Sequence, residues 1–462
     1  MTPLFYLSIA DAAERIRSGE VTALALTEAY LARIEATNDK LSAYITVTGD
    51  AALADARLAD ADAAAGRWRG PLHGIPLALK DVIATEGVRT TCHSRLLIDN
   101  IPAEDAVCVA KLKSTGAILL GKLATHEFAF GGPSHDLPFP PARNPWNLDC
   151  IPGGSSSGPG VAVAAGLCAG ALGTDTSGSI RMPASMCGIV GMKPTYGRVS
   201  RRGGYPLSFS MDHFGPMTWT VEDSAILLQA ISGYDPGDPG SVDLPVPDFK
   251  AQLGESLTGL RIGVARSWYE DTVTDEMAAA MSAMLDVMRE LGAQVFDIQV
   301  PEIADMNACG RIILLSEGYA IHKATLTSRP EDYGRFTRDR MRLGGFIGAA
   351  QYLQAQRMRR DLVNHTMMAM RGCDVLVTAS HYGPADLFTV STETFPFFGK
   401  PYLTMPFDVT GQPAMSVPCG YAGNGLPLGF QIAGRPFDEV TVFRVGHAYE
   451  QARGGLDRRP PI

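Results

Sequence analysis

Strand-like and helix-like stretches alternate along the whole chain of 462 residues, and this alternation predicts a mixed α/β fold. Three observations carry the reading. Leu26, Tyr30 and Ile34 recur at helical spacing near the N-terminus. Runs of small and apolar residues such as "TGAILLGK" and "GLCAGALGTDT" have the composition of buried strands. Residues 260–300 then read as strand, helix and strand in succession, a βαβ-like unit.

Taken in order, the first helical stretch is capped by Thr22, and Leu31 joins its apolar face. An alanine-rich helix is expected over about 50–66, after which "GPLHGIPLALKDVI" (70–83) reads as a turn feeding a short buried strand. The runs at 115–122 and 166–176 supply two more strands. "GYDPGDPGSVDLPVPDF" (233–249) is dense in Gly, Pro and Asp and reads as a linker or surface excursion. Beyond it, "LRIGVAR" (260–266) and "AQVFDIQV" (293–300) flank a helix on which Met277, Met281, Met284, Leu285, Met288 and Leu291 share one face. A metal or partner surface is conceivable for such a stripe, but core packing is the expected role. "DVLVTAS" (374–380) and "NGLPLGFQIAG" (424–434) add strands, and no internal repeat is visible.

Composition narrows the function. Forty Lys and Arg against 49 Asp and Glu give a formal charge of −9, which argues against nucleic acid as the primary partner. The N-terminal residues lack the features of a signal peptide, and no apolar run reaches the ~20 residues of a membrane span. Eight cysteines are scattered with no C-x-x-C pair, unlike a zinc cluster or a disulfide framework. A reducing cytoplasmic location is expected, with no membrane contact.

Four segments are candidates for chemistry. Lys80 lies in the apolar run "GIPLALKDVI", where it snorkels to solvent, pairs with a carboxylate such as Asp81 or, if burial lowers its pKa, serves as a general base. "IPGGSSSGPGVAVAAG" (151–166) lacks the lysine of a phosphate-binding loop. It matches G-x-S-x-G at Ser156, but no strand precedes it as a nucleophile elbow requires. The segment remains either a flexible helix-start loop or half of a site whose serine passes protons. "GTDTSGSIRMPASMCG" (173–188) reads as a strand-ending turn or as a turn whose N–H groups stabilise an oxyanion beside an attacking serine. "FPFFGKPYLTMPFDVTGQPAMSVPCG" (395–420) is rich in aromatic residues and proline. "HEFAF" (126–130) begins like a zinc motif but ends in Phe130, so no metal site is expected.

Taken together, Lys80, "GGSSSG" and "GTDTSGSIRMPAS" resemble the amidase signature family, and the spacing between them agrees as well. The similarity continues through "GMKPTYGRVSRRG", "DHFGPMTWTVEDSAILLQAISGYDP" and "NGLPLGFQIAGRPFDE", which is essentially the whole chain. It implies one α/β/α domain around a large twisted mixed sheet over residues 1–462, with no cofactor. It also implies a catalytic triad of Lys80 as base, Ser155 as the bridging serine on a cis peptide, and Ser179 as nucleophile. The N–H groups of Thr176, Ser177, Gly178 and Ser179 would form the oxyanion hole, and Phe130, Gly131 and Gly132 would line the substrate pocket. Phe130 could equally be a core residue. Ser177 departs from the glycine common in relatives, and Pro159 from a small polar residue.

Within that family, resemblance to the glutamine-cleaving chains of tRNA-dependent amidotransferases matches Arg340 to their substrate-binding arginine, but Pro401 or Tyr402 stands where they have an aspartate. The aromatic run 395–398 precedes that position. Loss of the acidic anchor implies an uncharged, partly apolar amide, an anilide or a carbamate, cleaved by a chain acting alone as monomer or homodimer. The alternative is an amidotransferase component that releases ammonia from glutamine.

Overall fold

The structure, a computed structural model, describes residues 2–388, 399–453 and 458–462. Its frame is a single sheet of eleven strands. In chain order these are β1 (Tyr44–Val47), β2 (Pro76–Lys80), β3 (Ile118–Leu123), β4 (Gly170–Asp175), β5 (Val190–Lys193) and β6 (His213–Thr218). β7 (Arg261–Val264), β8 (Gln294–Asp297), β9 (Val375–Ala379), β10 (Ala414–Tyr421) and β11 (Pro427–Ala433) complete it. Across the sheet they run β1-β3-β2-β4-β6-β5-β10-β11-β9-β7-β8. The sheet is mixed: β2 is parallel to both β3 and β4, and β7 to both β8 and β9, whereas the remaining pairs are antiparallel.

Every residue of β2 is buried, as expected for a central strand flanked by parallel neighbours. Helices cover both faces. Along β11, Gly429 faces Ser185 of the helix Arg181–Cys187, while the next residue, Phe430, packs on Tyr449 of the helix Glu439–Ala452. Successive strand residues point to opposite sides, so these two helices lie on opposite faces.

The helices follow their sequence signals. Thr22 caps the helix Ala23–Leu41, its hydroxyl accepting from the N–H of Ala25 at 3.0 Å. Met277, Met281, Met284, Leu285 and Met288 are all buried on the helix Asp275–Glu290, so the methionine stripe is core. β7 and β8, which bracket this helix, pair in parallel as the βαβ reading required. Residues 233–249 contain no helix or strand and lead from the helix Val221–Ile231 towards β7 in the same sheet. That stretch is tied back by Arg201 to Asp238 and by Arg202 to Asp235. Among the described residues, no helix is long and apolar enough to cross a membrane.

Candidate active site

β2 and β4 are adjacent and parallel, so their C-terminal ends open on the same edge. Lys80 is the last residue of β2 and Asp175 the last of β4; the turn after Asp175 carries Ser177, Gly178 and Ser179. A second loop brings Ser155 to this edge just ahead of the helix Ser157–Ala164, and the Gly154–Ser155 peptide bond is cis. The two loops are joined where the N–H of Ser156 donates to the carbonyl of Ser179 at 3.2 Å.

Lys80 is fully buried, and its ammonium donates to Ser155 Oγ at 2.8 Å and Thr174 Oγ1 at 2.7 Å. Asp81 does not neutralise it. That carboxylate accepts from the N–H and hydroxyl of Thr91 and lies 3.9 Å from Lys122. Burial therefore dominates, pushing the Lys80 amine down to about 7 against the opposing pull of Asp175 and Asp212. A substantial fraction of this amine is neutral at pH 7 and able to accept a proton.

The turn after β4 is held from below. Asp175 accepts from the N–H of Gly178 at 2.6 Å and of Ile180 at 3.1 Å, and both its oxygens meet Arg181 at 3.0 Å. Burial alone would raise this carboxylate's pKa, but the charge and hydrogen bonds of Arg181 win and hold it well below the usual range. Arg181 in turn donates to Asp408 at 2.7 Å, Thr404 O at 2.8 Å and Gln431 Oε1 at 3.0 Å. Thr404 closes the bracket, its hydroxyl donating to the Ser177 carbonyl at 2.6 Å.

One N–H of the expected oxyanion hole is engaged within the protein: that of Gly178 donates to Asp175, whose carboxylate caps the turn. The N–H groups of Thr176, Ser177 and Ser179 have no acceptor among the described residues. Ser177 causes no strain, since Gly178 takes the left-handed conformation (φ 125°) instead. Pro159 falls in the first turn of its helix, where a missing N–H costs nothing.

Ser155, Ser177 and Ser179 line one cleft together with Phe130, Gly131 and Gly132. Its walls are mainly apolar: Leu137, Pro141, Ile151, Met182, Leu207, Leu314 and Met405. Phe130 is thus both nearly buried and a cleft residue. Arg340 sits behind this wall and donates to the carbonyl of Gly131, whereas Tyr402 lines the cleft itself. The aromatic run 395–398 lies outside the described residues. Thr176 borders a second cavity of about 230 Å³, shared with Thr174, Tyr205 and Asp212, behind the lysine.

Several residues at or beside the cleft escaped the sequence reading. Thr174, the second partner of Lys80, had only its place in "GTDT" to mark it. Arg311 borders the cleft 5.4 Å from the ring of Tyr402, and its helical context carried no signal. His126 also faces the cleft; "HEFAF" drew attention to it only as a metal ligand. Ser156, the G-x-S-x-G candidate, is fully buried and donates to the Thr174 carbonyl at 3.1 Å, a packing role. Among the described residues no group of His, Cys, Asp and Glu is placed to hold a metal ion.

Comparison with known proteins agrees with this architecture. The family model described as Amidase matches residues 25–443. The A-type chain of the glutamyl-tRNA(Gln) amidotransferase of Roseiflexus sp. (strain RS-1) is 40% identical, the match covering 100% of this chain and 99% of that one. The native peptide amidase of Stenotrophomonas maltophilia superposes with a TM-score of 0.89 at 33% identity, over 100% of this chain and 99% of that one. A solved vestigial protein complex, described as revealing the origins of an s-triazine catabolic enzyme, gives a TM-score of 0.92 at 35% identity, over 99% and 100% of the two chains. With a matching family model over most of its length, full-length relatives and solved amidases that superpose over the whole fold, the chain belongs to the amidase signature family of hydrolases.

Proposed function

We propose that the chain acts alone as a serine hydrolase that cleaves the C–N bond of small, uncharged, partly apolar amides, including anilides and carbamates. The observation that carries the reading is a buried lysine, with a pKa near 7, bonded to a serine at the floor of a mainly apolar cleft. In this reading Ser179 attacks the carbonyl carbon while its proton passes to Ser155, and that of Ser155 to neutral Lys80. The tetrahedral oxyanion is met by the unengaged N–H groups of the turn, each well-placed donor contributing roughly 3–4 kcal/mol. The proton then returns through Ser155 to the leaving nitrogen as the C–N bond breaks. Water, deprotonated by the same relay, hydrolyses the acyl-enzyme and releases Ser179. No cofactor enters any step, and the partner is the small-molecule substrate.

Substrate preference follows from the walls. Ile151, Leu137, Met182, Leu314 and Met405 favour an apolar acyl or amine group. A carbamate differs only in the group flanking the carbonyl, so the same relay serves it.

A second reading, a component that releases ammonia from glutamine within an amidotransferase, is favoured by the 40% full-length identity to such chains. Assaying the purified chain alone on p-nitroanilides, aryl carbamates and glutamine separates the two. Turnover of anilides or carbamates with glutamine inert supports the stand-alone hydrolase. Turnover of glutamine only, or only with a partner protein added, supports the amidotransferase component.

A further inference from the structure

His126 is a cleft residue that the relay does not use. Its main-chain N–H donates to the carbonyl of Ser155 at 3.1 Å. Its ring lies against Gly154: a Cβ built on that glycine would stand 2.1 Å from His126 Cε1 and 2.4 Å from Nε2. The imidazole is therefore pinned beside the serine that hands the proton to the leaving nitrogen. It borders the cleft, and among the described residues neither ring nitrogen has a hydrogen-bond partner. The neighbouring His93 is different, its ring nitrogens being taken up by Phe139 O at 3.0 Å and Thr125 N at 3.4 Å. Burial first, and the nearby Lys80 second, hold the His126 ring down to about 3, so it is neutral under working conditions and keeps one unprotonated nitrogen.

We infer that His126 is a substrate-binding residue that accepts a hydrogen bond from an N–H of the leaving amine. The inference rests on the hydrolase reading above. In the ground state the amide N–H is a modest donor. As the carbon becomes tetrahedral and Ser155 delivers a proton to nitrogen, positive charge grows there and the remaining N–H becomes a stronger donor. The bond to imidazole is then tighter in the transition state than in the bound substrate, which raises kcat and not only affinity. The proton count is unchanged: Ser155 supplies the transferred proton, the C–N bond breaks, and His126 gains and loses none. Esters and N-methylated anilides lack this N–H and cannot make the contact.

The test compares a p-nitroanilide and a p-nitrophenyl ester sharing one acyl group, assayed with wild type, His126→Leu and His126→Gln. His126→Leu is expected to lower kcat/KM on the anilide by roughly 10- to 100-fold while the ester stays within about 3-fold. His126→Gln, whose amide oxygen can accept, should recover much of that loss. An equal loss on both substrates, or none on the anilide, would overturn the inference and leave the ring only a packing role. If the Leu variant fails to fold, the wild type itself decides: discrimination against the N-methyl anilide by less than about 3-fold overturns it. A wild type that turns over the ester but no anilide at all removes the amidase reading, and with it this one.

Discussion

Asp175 joins the sheet to the turn carrying Ser179, and Asp175→Asn is the sharpest test of how that turn is built. One oxygen of the carboxylate accepts from Gly178 N at 2.6 Å and Arg181 Nη2 at 3.0 Å. The other accepts from Ile180 N at 3.1 Å, Arg181 Nε at 3.0 Å and, more weakly, Arg181 N at 3.4 Å. Apart from the Asp408 carboxyl, whose pKa burial and the charge of Asp175 push up, the groups facing it are donors. Either orientation of an asparagine amide therefore replaces one set of acceptances with an NH₂ pointed at N–H groups. At least two hydrogen bonds are lost, one of them to a charged group, and Arg181 keeps only Asp408 as a counter-charge. Hydrogen bonds to charged groups contribute about 1.5–3 kcal/mol each, and breaking a buried ion pair costs about 3–5 kcal/mol. The expected destabilisation is about 3–5 kcal/mol, read from urea unfolding followed by circular dichroism. At a urea concentration where the variant remains folded, kcat should fall more than KM rises, because in the proposed relay the turn positions the attacking oxygen. A variant within about 1 kcal/mol of wild type and with unchanged kcat would refute the view that Asp175 shapes the turn.

Four further outcomes are expected. Ser179→Ala should abolish both hydrolysis and labelling by a fluorophosphonate probe, whereas Lys80→Met should lower the labelling rate at least about 10³-fold with the fold intact by circular dichroism. The pH profile of kcat/KM should rise about tenfold per unit below pH 7 and level off above it, since Lys80 accepts a proton only when neutral and its amine titrates near 7; a flat profile from pH 5 to 9 would assign the base elsewhere. Gly178→Ala should destabilise by about 2–4 kcal/mol in a thermal melt, because its φ is 125° and a Cβ would stand 2.0 Å from Thr404 Oγ1, the hydroxyl that braces Ser177.

Some of this was legible in the sequence for physical reasons. Lys80 stood out because a cation in an apolar run has few explanations, and its strand was marked by the same run. The parallel strands β2, β3 and β4 read clearly since burial on both faces makes them continuously apolar. β5, β6 and β10 did not, because Gly191, Gly215 and Pro216, and Pro418 interrupt their apolar runs. Family resemblance placed Ser155 and Ser179, but residue types alone left the loop at 151–166 open. The bracket under the turn was invisible, since Arg181 meets an aspartate 227 positions away. The engagement of Gly178 by Asp175 depends on backbone direction, which no composition encodes.

The ties from Arg181 to Thr404, Asp408 and Gln431 bear on when the protein becomes active during its synthesis. Lys80, Ser155 and Ser179 all emerge from the ribosome before the chain is half made, yet the brace for their turn lies in the last sixty or so residues. A nascent chain ending near 233–249 carries the three side chains of the proposed relay without the clamp, so it should be hydrolytically silent. Cut within that stretch, the two fragments should regain activity only on reassociation, which makes the break a natural place to split the protein into a complementing reporter.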